Sequence, residues 1–407
     1  LLLDNQAVRQ QLIRFTSASE WMANGLTRYP ILLDELLTGY DDDSFSLALL
    51  EKALRFRLAS VSDDDLEEQM TQLREFRHAR VMGVASLSIG NKLPAADTGR
   101  ALSNIAETCA RGATAISTHA ITQNHGTPEG VDADKVPFCV IGYGKLGGRE
   151  LGYGSDLDLV FLSDNIDETT RTDGPRPIYS SQFFARIGQR FVHVMTTRTS
   201  AGRLYEVDMR LRPNGNSGPL VATLNAFERY QQNKAWTWEH QALVRARCVA
   251  GDADVAERFR LIRQDILTRR RNEESLRNDV ISMRTKMRDA ANLSSTSGFN
   301  LKQGTGGIVD IEFMVQYSVL RWACEHPGLT EHTGTIALLD ELQALNLLDS
   351  GDHDTLVLAY DTWMQCSHER TLAEKEPVIA NDEHSALREE VAAIWDHLIM
   401  ENRHVNG

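Results

Sequence analysis

Gly144-Lys145-Leu146-Gly147-Gly148-Arg149-Glu150-Leu151-Gly152-Tyr153-Gly154-Ser155-Asp156-Leu157-Asp158-Leu159-Val160-Phe161 is the stretch on which the fold turns. Its five glycines make a turn, and the residues from Asp156 to Leu162 then alternate as a strand does. In a strand, side chains two apart share a face. Asp156 and Asp158 therefore point one way, while Leu157, Leu159 and Phe161 point into the opposite layer. Just upstream, Phe138-Cys139-Val140-Ile141 follows Pro137 and is closed by Gly142 and Gly144, which reads as a buried strand. Downstream, Phe183, Phe184, Ile187, Phe191, Val194 and Met195 recur at three- and four-residue steps and predict a helix. Residues 204–211 alternate again as a third strand, ended by Pro213-Asn214-Gly215.

Outside this core the texture is helical. Val8, Leu12, Ile13 and Phe15 begin a helical spacing, and Ile31, Leu32, Leu33, Leu36 and Leu37 form a second apolar cluster. The runs Asp41-Asp42-Asp43 and Asp63-Asp64-Asp65 fall between such stretches as loops or helix starts. From about Asp254 onward helices return, interrupted by the glycine-rich stretch 304–307. The expected fold is mostly α with a small α/β core. Its parts are a helical N-terminal region (1–125), the mixed core (126–252) and a C-terminal helical bundle (253–407). No fixed-period repeat is evident.

The 407 residues are enough for two or three domains with sizeable cores. With 43 basic and 57 acidic side chains the net charge is −14. That excludes a protein that coats nucleic acid through a generally basic surface. The charge is uneven: residues 331–407 carry 4 basic and 16 acidic side chains, whereas 198–271 carry 14 basic and 8 acidic. The basic stretch reads either as a site for a polyanionic ligand or as solvated helix faces. No apolar run approaches the ~18–20 residues that span a bilayer. The opening Leu1-Leu2-Leu3-Asp4 has no basic region or cleavage site of a signal peptide, and the missing initial Met points to a piece of a longer protein. Five widely spaced cysteines (Cys109, Cys139, Cys248, Cys324, Cys366) without a C-x-x-C pair read as buried thiols in a reducing cytoplasm. The histidines include no H-E-x-x-H zinc motif.

Two carboxylates side by side at the mouth of a strand repel each other unless a cation lies between them. Few, hard oxygen ligands suit Mg²⁺, which shares phosphate oxygens with a substrate. Gly154 and Ser155 supply free N–H groups and a hydroxyl where a phosphate would lie. Leu204-Tyr205-Glu206-Val207-Asp208-Met209-Arg210-Leu211-Arg212-Pro213 adds a third carboxylate, with Asp208 on the face of Glu206 and Arg210. Asp156, Asp158 and Asp208 on neighbouring strands make a two-metal site, with ions about 3.5–4 Å apart.

The Gly-Ser-Asp-x-Asp stretch from Gly154 to Asp158, with the distal Asp208, resembles the nucleotidyltransferase superfold of DNA polymerase β. More narrowly, three stretches in family order resemble the glutamine synthetase adenylyltransferase family. They are the quoted glycine–aspartate stretch, Val207-Asp208-Met209-Arg210-Leu211-Arg212-Pro213, and Lys302-Gln303-Gly304-Thr305-Gly306-Gly307-Ile308-Val309-Asp310-Ile311-Glu312-Phe313. That bacterial family has two related halves, one attaching AMP to a tyrosine of glutamine synthetase and one removing it. Tyr153-Gly154-Ser155-Asp156-Leu157-Asp158-Leu159 and the early Arg28-Tyr29-Pro30-Ile31-Leu32-Leu33-Asp34-Glu35-Leu36-Leu37 are similar to the adenylylating, C-terminal half. The resemblance implies a nucleotidyltransferase domain flanked by helical domains, using Mg-ATP and releasing pyrophosphate. It also implies glutamine synthetase as protein substrate and control by the PII signal protein. Asp156, Asp158 and Asp208 match its metal-binding and catalytic aspartates, and Gly154 and Ser155 its phosphate turn. Lys145, Arg149, Arg210 and Arg212 either meet the triphosphate or make structural salt bridges. The sister deadenylylase, which uses phosphate to release ADP, and a noncatalytic module of the same fold are the alternatives.

Two further stretches stay open on sequence alone. The glycines at 304–307, beside Lys302, either bind phosphate through backbone N–H groups or make a tight helix entry. Trp236-Thr237-Trp238-Glu239-His240-Gln241-Ala242-Leu243-Val244-Arg245-Ala246-Arg247 has aromatics at helical spacing, which favours core packing, with Arg245 and Arg247 as nucleotide-facing candidates. His193 and His240 read as packed or capping helix residues.

Overall fold

The computed structural model describes residues 6–30, 32–33, 40, 42–90, 92–291 and 298–400. Leu1 to Asp4, Ile31, Leu36, Leu37 and Asp41 lie outside the described residues, as does the side chain of Val8.

Among the described residues the chain opens with the helices α1 (Gln6–Ala18), α2 (Glu20–Arg28), α3 (Leu47–Leu58), α4 (Leu66–Ile89) and α5 (Ala95–His125). In α1, Phe15 is buried but Ile13 points to solvent. Asp65, the last of its acidic run, starts α4 by accepting a hydrogen bond from the Glu68 N–H, which satisfies one of the helix's orphan donors. The 31 residues of α5 extend roughly 46 Å and form the spine of the N-terminal layer. Small residues let its neighbours come close: a Cβ on Gly112 would lie 3.0 Å from both Leu54 and Leu73.

The core follows as β1 (Phe138–Gly142), the single turn α6 (Gly144–Gly147), β2 (Leu157–Ser163), α7 (Ser180–Thr196), β3 (Val207–Asp208), β4 (Val221–Thr223), α8 (Leu224–Asn233), α9 (Thr237–Val244) and β5 (Arg247–Gly251). The sheet runs β3-β2-β1-β5, and β4 also pairs with β2. β1 lies antiparallel to β2 and β5, whereas β3 and β4 run parallel to β2. Phe138, Val140, Leu157, Leu159 and Phe161 pack with the N-terminal helices and α7. Cys139, Ile141, Val160 and Leu162 face the other way.

That second face is covered by α10 (Ala253–Leu267), α11 (Glu273–Ala290), α12 (Ile308–Trp322), α13 (Thr335–Ala344), α14 (Ser350–Leu372) and α15 (Ser385–Trp395), with a two-stranded pair of β6 (Phe299–Asn300) and β7 (Val378–Ile379). Coverage on both sides explains why the alternation of β2 stops at Leu159. Beyond Asp158 every residue of the strand is buried, so both faces take apolar side chains. Among the described residues no helix is long and apolar enough to cross a membrane.

Several sequence expectations need correction. The third strand is two residues long, not eight. Arg210 turns back to donate its backbone N–H to Asp208 Oδ1 at 2.9 Å, an Asx-type turn that ends the ladder. The strands β4 and β5 and the helix α8 have no counterpart among the sequence expectations, whereas α9 falls where the aromatics recur at helical spacing. Trp236 is 71% exposed and Trp238 36% exposed, so neither is a core residue. All five cysteines are free, but Cys248, Cys324 and Cys366 are only half-buried.

Candidate active site

The turn that precedes β2 is built from both helical layers. Tyr153 inserts between them, donating its hydroxyl to Ser88 Oγ at 2.8 Å and meeting the rings of Trp21 and His368. The Gly152 N–H donates to Ser155 Oγ at 3.0 Å, closing the turn while leaving the Ser155 proton free to donate outward. Gly144 has φ +54°, and a Cβ there would sit 2.8 Å from Asp158 Oδ2. Only glycine lets the backbone pass this carboxylate.

A cavity of about 570 Å³ opens here, and Lys145, Gly154, Ser155, Asp156 and Asp158 all line it. Five of the predicted site residues thus meet in one place. Asp208 stands opposite Asp158 in the parallel register of β2 and β3. None of the described residues donates a hydrogen bond to the carboxylates of Asp156 or Asp158. Burial, then the negative charges of Asp156 and Asp208, push the Asp158 carboxyl up to about 6, against the pull of Lys302 and Arg210. Asp208 is the opposite case. Arg210 grips it through Nε and Nη2 and holds it below the usual carboxylate range.

The expected triphosphate cations divide. Lys145 is half-buried in the cavity wall, with burial lowering its ammonium and Glu312 pulling it back up. Arg210 is taken by Asp208, and Arg212 donates to the Met209 carbonyl at 2.7 Å. Neither lines the cavity. Arg149, at φ +62°, lines a separate cavity of about 350 Å³ on the far side of Glu150. Lys302 also lines the aspartate cavity, close enough for its charge to act on Asp158 and Lys145.

Much of the basic stretch is spent internally. Arg263 donates to the carbonyls of Leu243, Val244, Thr330 and His332. Arg258 pairs with Asp164, Arg260 with Glu257, Arg269 with Asp265 and Arg247 with Glu107. Arg245 lies between Glu312 and Glu150. Burial alone would lower its guanidinium, but these two carboxylates raise it instead. Tyr360 donates to Glu150 at 2.6 Å, and the Thr335 N–H donates to the same carboxylate at 2.6 Å. This buried network, absent from the sequence reading, ties the glycine stretch to α12, α13 and α14.

The glycines at 304–307 make a helix entry. The Gly304 and Gly307 N–H groups donate to Asn300 and Gly304 carbonyls, and the Gly306 N–H donates to Asp310 Oδ2 at 2.7 Å. His240 Nε2 bonds the Gln231 carbonyl and His193 Nδ1 meets Thr197 Oγ1, both structural contacts.

The donor set at the cavity fits a divalent cation. Asp156 and Asp158 offer hard, unpaired oxygens whose mutual repulsion a cation would cancel. The three aspartates do not draw their oxygens within 4.8 Å of one another as a trio, and Asp208 is held by Arg210. Cys366, Glu383 and His384 do come that close, at the surface near the start of α15.

A glycine–serine turn thus feeds paired aspartates at the mouth of a central strand, in a small mixed sheet between helical layers. Residues 9–261 match the family described as glutamate-ammonia ligase adenylyltransferase, and residues 268–377 match the GlnD PII-uridylyltransferase family. The chain is 45% identical, over an alignment that covers 97% of it, to the bifunctional glutamine synthetase adenylyltransferase/adenylyl-removing enzyme of Pseudomonas syringae pv. tomato. Proteins of that name from Pseudomonas putida and Thioalkalivibrio sulfidiphilus are 43% and 44% identical over 98% and 99% of the chain. The chain spans 42% of the length of each of these relatives. It belongs to the glutamate-ammonia ligase adenylyltransferase family.

Proposed function

We propose that this chain adenylylates glutamine synthetase. A tyrosyl oxygen of that protein attacks the α-phosphorus of ATP, the bond to the bridging oxygen of the β-phosphate breaks, and pyrophosphate leaves. The observation that carries this reading is the carboxylate pair Asp156 and Asp158, unpaired at a glycine turn within a cavity that also holds Lys145 and Lys302.

Asp156 and Asp158 would hold Mg²⁺, with Asp208 as the third carboxylate. When bound, the cation neutralises phosphate charge and stabilises the transferring group. Asp208, on the strand edge beside Asp158, takes the tyrosyl proton as the oxygen attacks, which requires Arg210 first to release the carboxylate it holds low. The tyrosine needs that help, because its reference pKa is ≈ 10. Lys145 and Lys302 attract the β- and γ-phosphates, and the free proton of Ser155 donates to a phosphate oxygen. The helical walls limit the water that would compete with the tyrosine. The core (126–252) carries the chemistry, the N-terminal helices (1–125) dock the protein substrate, and the C-terminal bundle (253–407) closes the cavity. Regulation of nitrogen assimilation in a bacterial cytoplasm, under the PII signal protein, goes with this role.

The relatives' printed names include an adenylyl-removing activity, and the sister reaction would use the same carboxylates. Incubation with radiolabelled ATP, Mg²⁺ and unmodified glutamine synthetase tests the choice. Label on the protein supports transfer. ADP release from adenylylated glutamine synthetase and phosphate, with no labelling in the first assay, supports removal. Neither product would leave a noncatalytic module.

A further inference from the structure

Away from the aspartates, α14 carries part of a second donor set. Cys366 of that helix, Glu383 of the turn after β7 and His384 at the start of α15 bring their ligand atoms within 4.8 Å of one another. Among the described residues no other three Cys, His, Asp or Glu side chains do so. Neither the Glu383 carboxylate nor the His384 ring has a hydrogen-bond partner among the described residues.

The trio is held from behind rather than by contacts of its own donors. The His384 ring stands edge-on to Trp363 with centroids 5.8 Å apart, and Trp363 is anchored by its indole N–H, which donates to the Gly306 carbonyl at 3.1 Å. The Glu383 N–H closes the turn by donating to the Ala380 carbonyl at 3.2 Å, and β7 before it pairs with β6. Glu369, one helical turn beyond Cys366, and Glu383 set two negative charges beside the sulfur. A cation relieves that concentration of charge.

Donor chemistry decides which cation. Sulfur, an imidazole nitrogen and a carboxylate oxygen together suit Zn²⁺, whereas Mg²⁺ and Ca²⁺ take oxygen ligands. Donors around tetrahedral Zn²⁺ stand about 3.5 Å apart, a spacing that rotation of the exposed Glu383 and His384 side chains reaches. We propose that Cys366, Glu383 and His384 bind Zn²⁺, with water as the fourth ligand, and so clip the β7–α15 turn to α14. Binding replaces the Cys366 S–H bond by a sulfur–zinc bond, and the proton passes to solvent without any change of oxidation state. None of the three ligands lines the aspartate cavity, so the site stands apart from the nucleotide reading. The clip nevertheless borders that cavity along two lines. Ser367 and Thr371 of α14 line it, and Asn300 of β6 accepts the backbone N–H of Lys302 at 3.0 Å.

The test titrates the whole chain with Co²⁺, a spectroscopic stand-in for Zn²⁺, in a reducing buffer whose Mg²⁺ occupies the aspartate pair. A thiolate-to-cobalt charge-transfer band should appear, saturate at one equivalent and vanish when Zn²⁺ displaces the probe. The aspartates offer oxygen alone and cannot produce it. Cys366→Ala should abolish the band, and His384→Ala should weaken Co²⁺ binding about tenfold or more. Zn²⁺ should raise the urea midpoint of the unaltered chain more than that of His384→Ala. No band in the unaltered chain, or a band that survives in Cys366→Ala, overturns the site. So does full affinity in His384→Ala, which would mark an adventitious thiolate contact only. An equal rise in both urea midpoints overturns the clip. The unaltered chain and the exposed His384 position decide the matter even where Cys366→Ala does not fold.

Discussion

Asp158 and Asp208 face each other across the parallel register of β2 and β3, yet their carboxyl groups are held in opposite states. Burial and two neighbouring carboxylates push Asp158 up to about 6. Arg210, bonded through side chain and backbone, holds Asp208 low. One strand edge thus presents a strained carboxylate that wants a cation and a neutralised one that already has a partner.

Asp158 should make the metal-free protein lose stability as pH rises. Its folded pKa of about 6 lies above the reference value of about 3.9, so the fold favours the protonated form. The contribution is fully present below about pH 4 and is lost as pH rises through about 6, with an upper bound of roughly 3 kcal/mol. Asp158→Asn should remove this slope and also abolish AMP transfer. Urea midpoints with chelator at pH 4.5 and 7.5 measure the difference. The same slope in the variant, or near-normal turnover at saturating Mg²⁺, would refute the repulsion argument.

Asp208→Ala should separate catalysis from binding. Mg-ATP affinity should stay within a few-fold, because Asp156 and Asp158 remain, while transfer falls by about 10²-fold or more. Raising the pH should restore part of the rate, since more tyrosine is then ionised unaided. Parallel loss of ATP binding, or no recovery at high pH, would assign Asp208 a structural role.

His368 acts in the acid direction. It is 5% exposed, and burial, then the charge of Lys145, lowers it to about 4 against a backbone hydrogen bond at Leu151. The fold favours the neutral ring. Its contribution is complete above the unfolded value near 6.5 and is lost as pH falls through about 4, amounting to roughly 3 kcal/mol. Denaturant midpoints at pH 7 and pH 4.5 should converge in His368→Gln relative to the parent. An unchanged difference would mean that the ring protonates without penalty.

Asp310 should be among the costliest polar side chains to lose. It is fully buried, accepts from Arg284 at 2.5 Å and Arg288 at 2.6 Å, and holds the Gly306 N–H. Asp310→Ala leaves the buried Arg284 charge without its carboxylate, which costs about 3–5 kcal/mol. Chemical unfolding measures it, and a loss below about 1 kcal/mol would show that the site relaxes or takes in water.

The glycine turn, β1, β2, α7 and the side of the strand on which the aspartates lie were legible in the sequence. Each depends on local spacing: two residues per strand face, three or four per helix turn, glycine where a side chain would collide with Asp158. The meeting of Asp156 and Asp158 with Gly154 and Ser155 needed no tertiary information, because all lie within five residues. Other features depended on contacts between distant segments. Whether Arg210 was free or taken was set by a turn that cut β3 to two residues. Whether the arginines of 198–271 bound an anion or carbonyl groups was set by which helix ends packed over them. The part of the cavity wall made by Trp238, Gln241, Met283, Phe313 and Gln316 draws on three helices spread over nearly eighty residues. An exposed tryptophan and a core tryptophan have the same spacing along a helix, and only the packing of α9 against α11 and α12 decided which this one is.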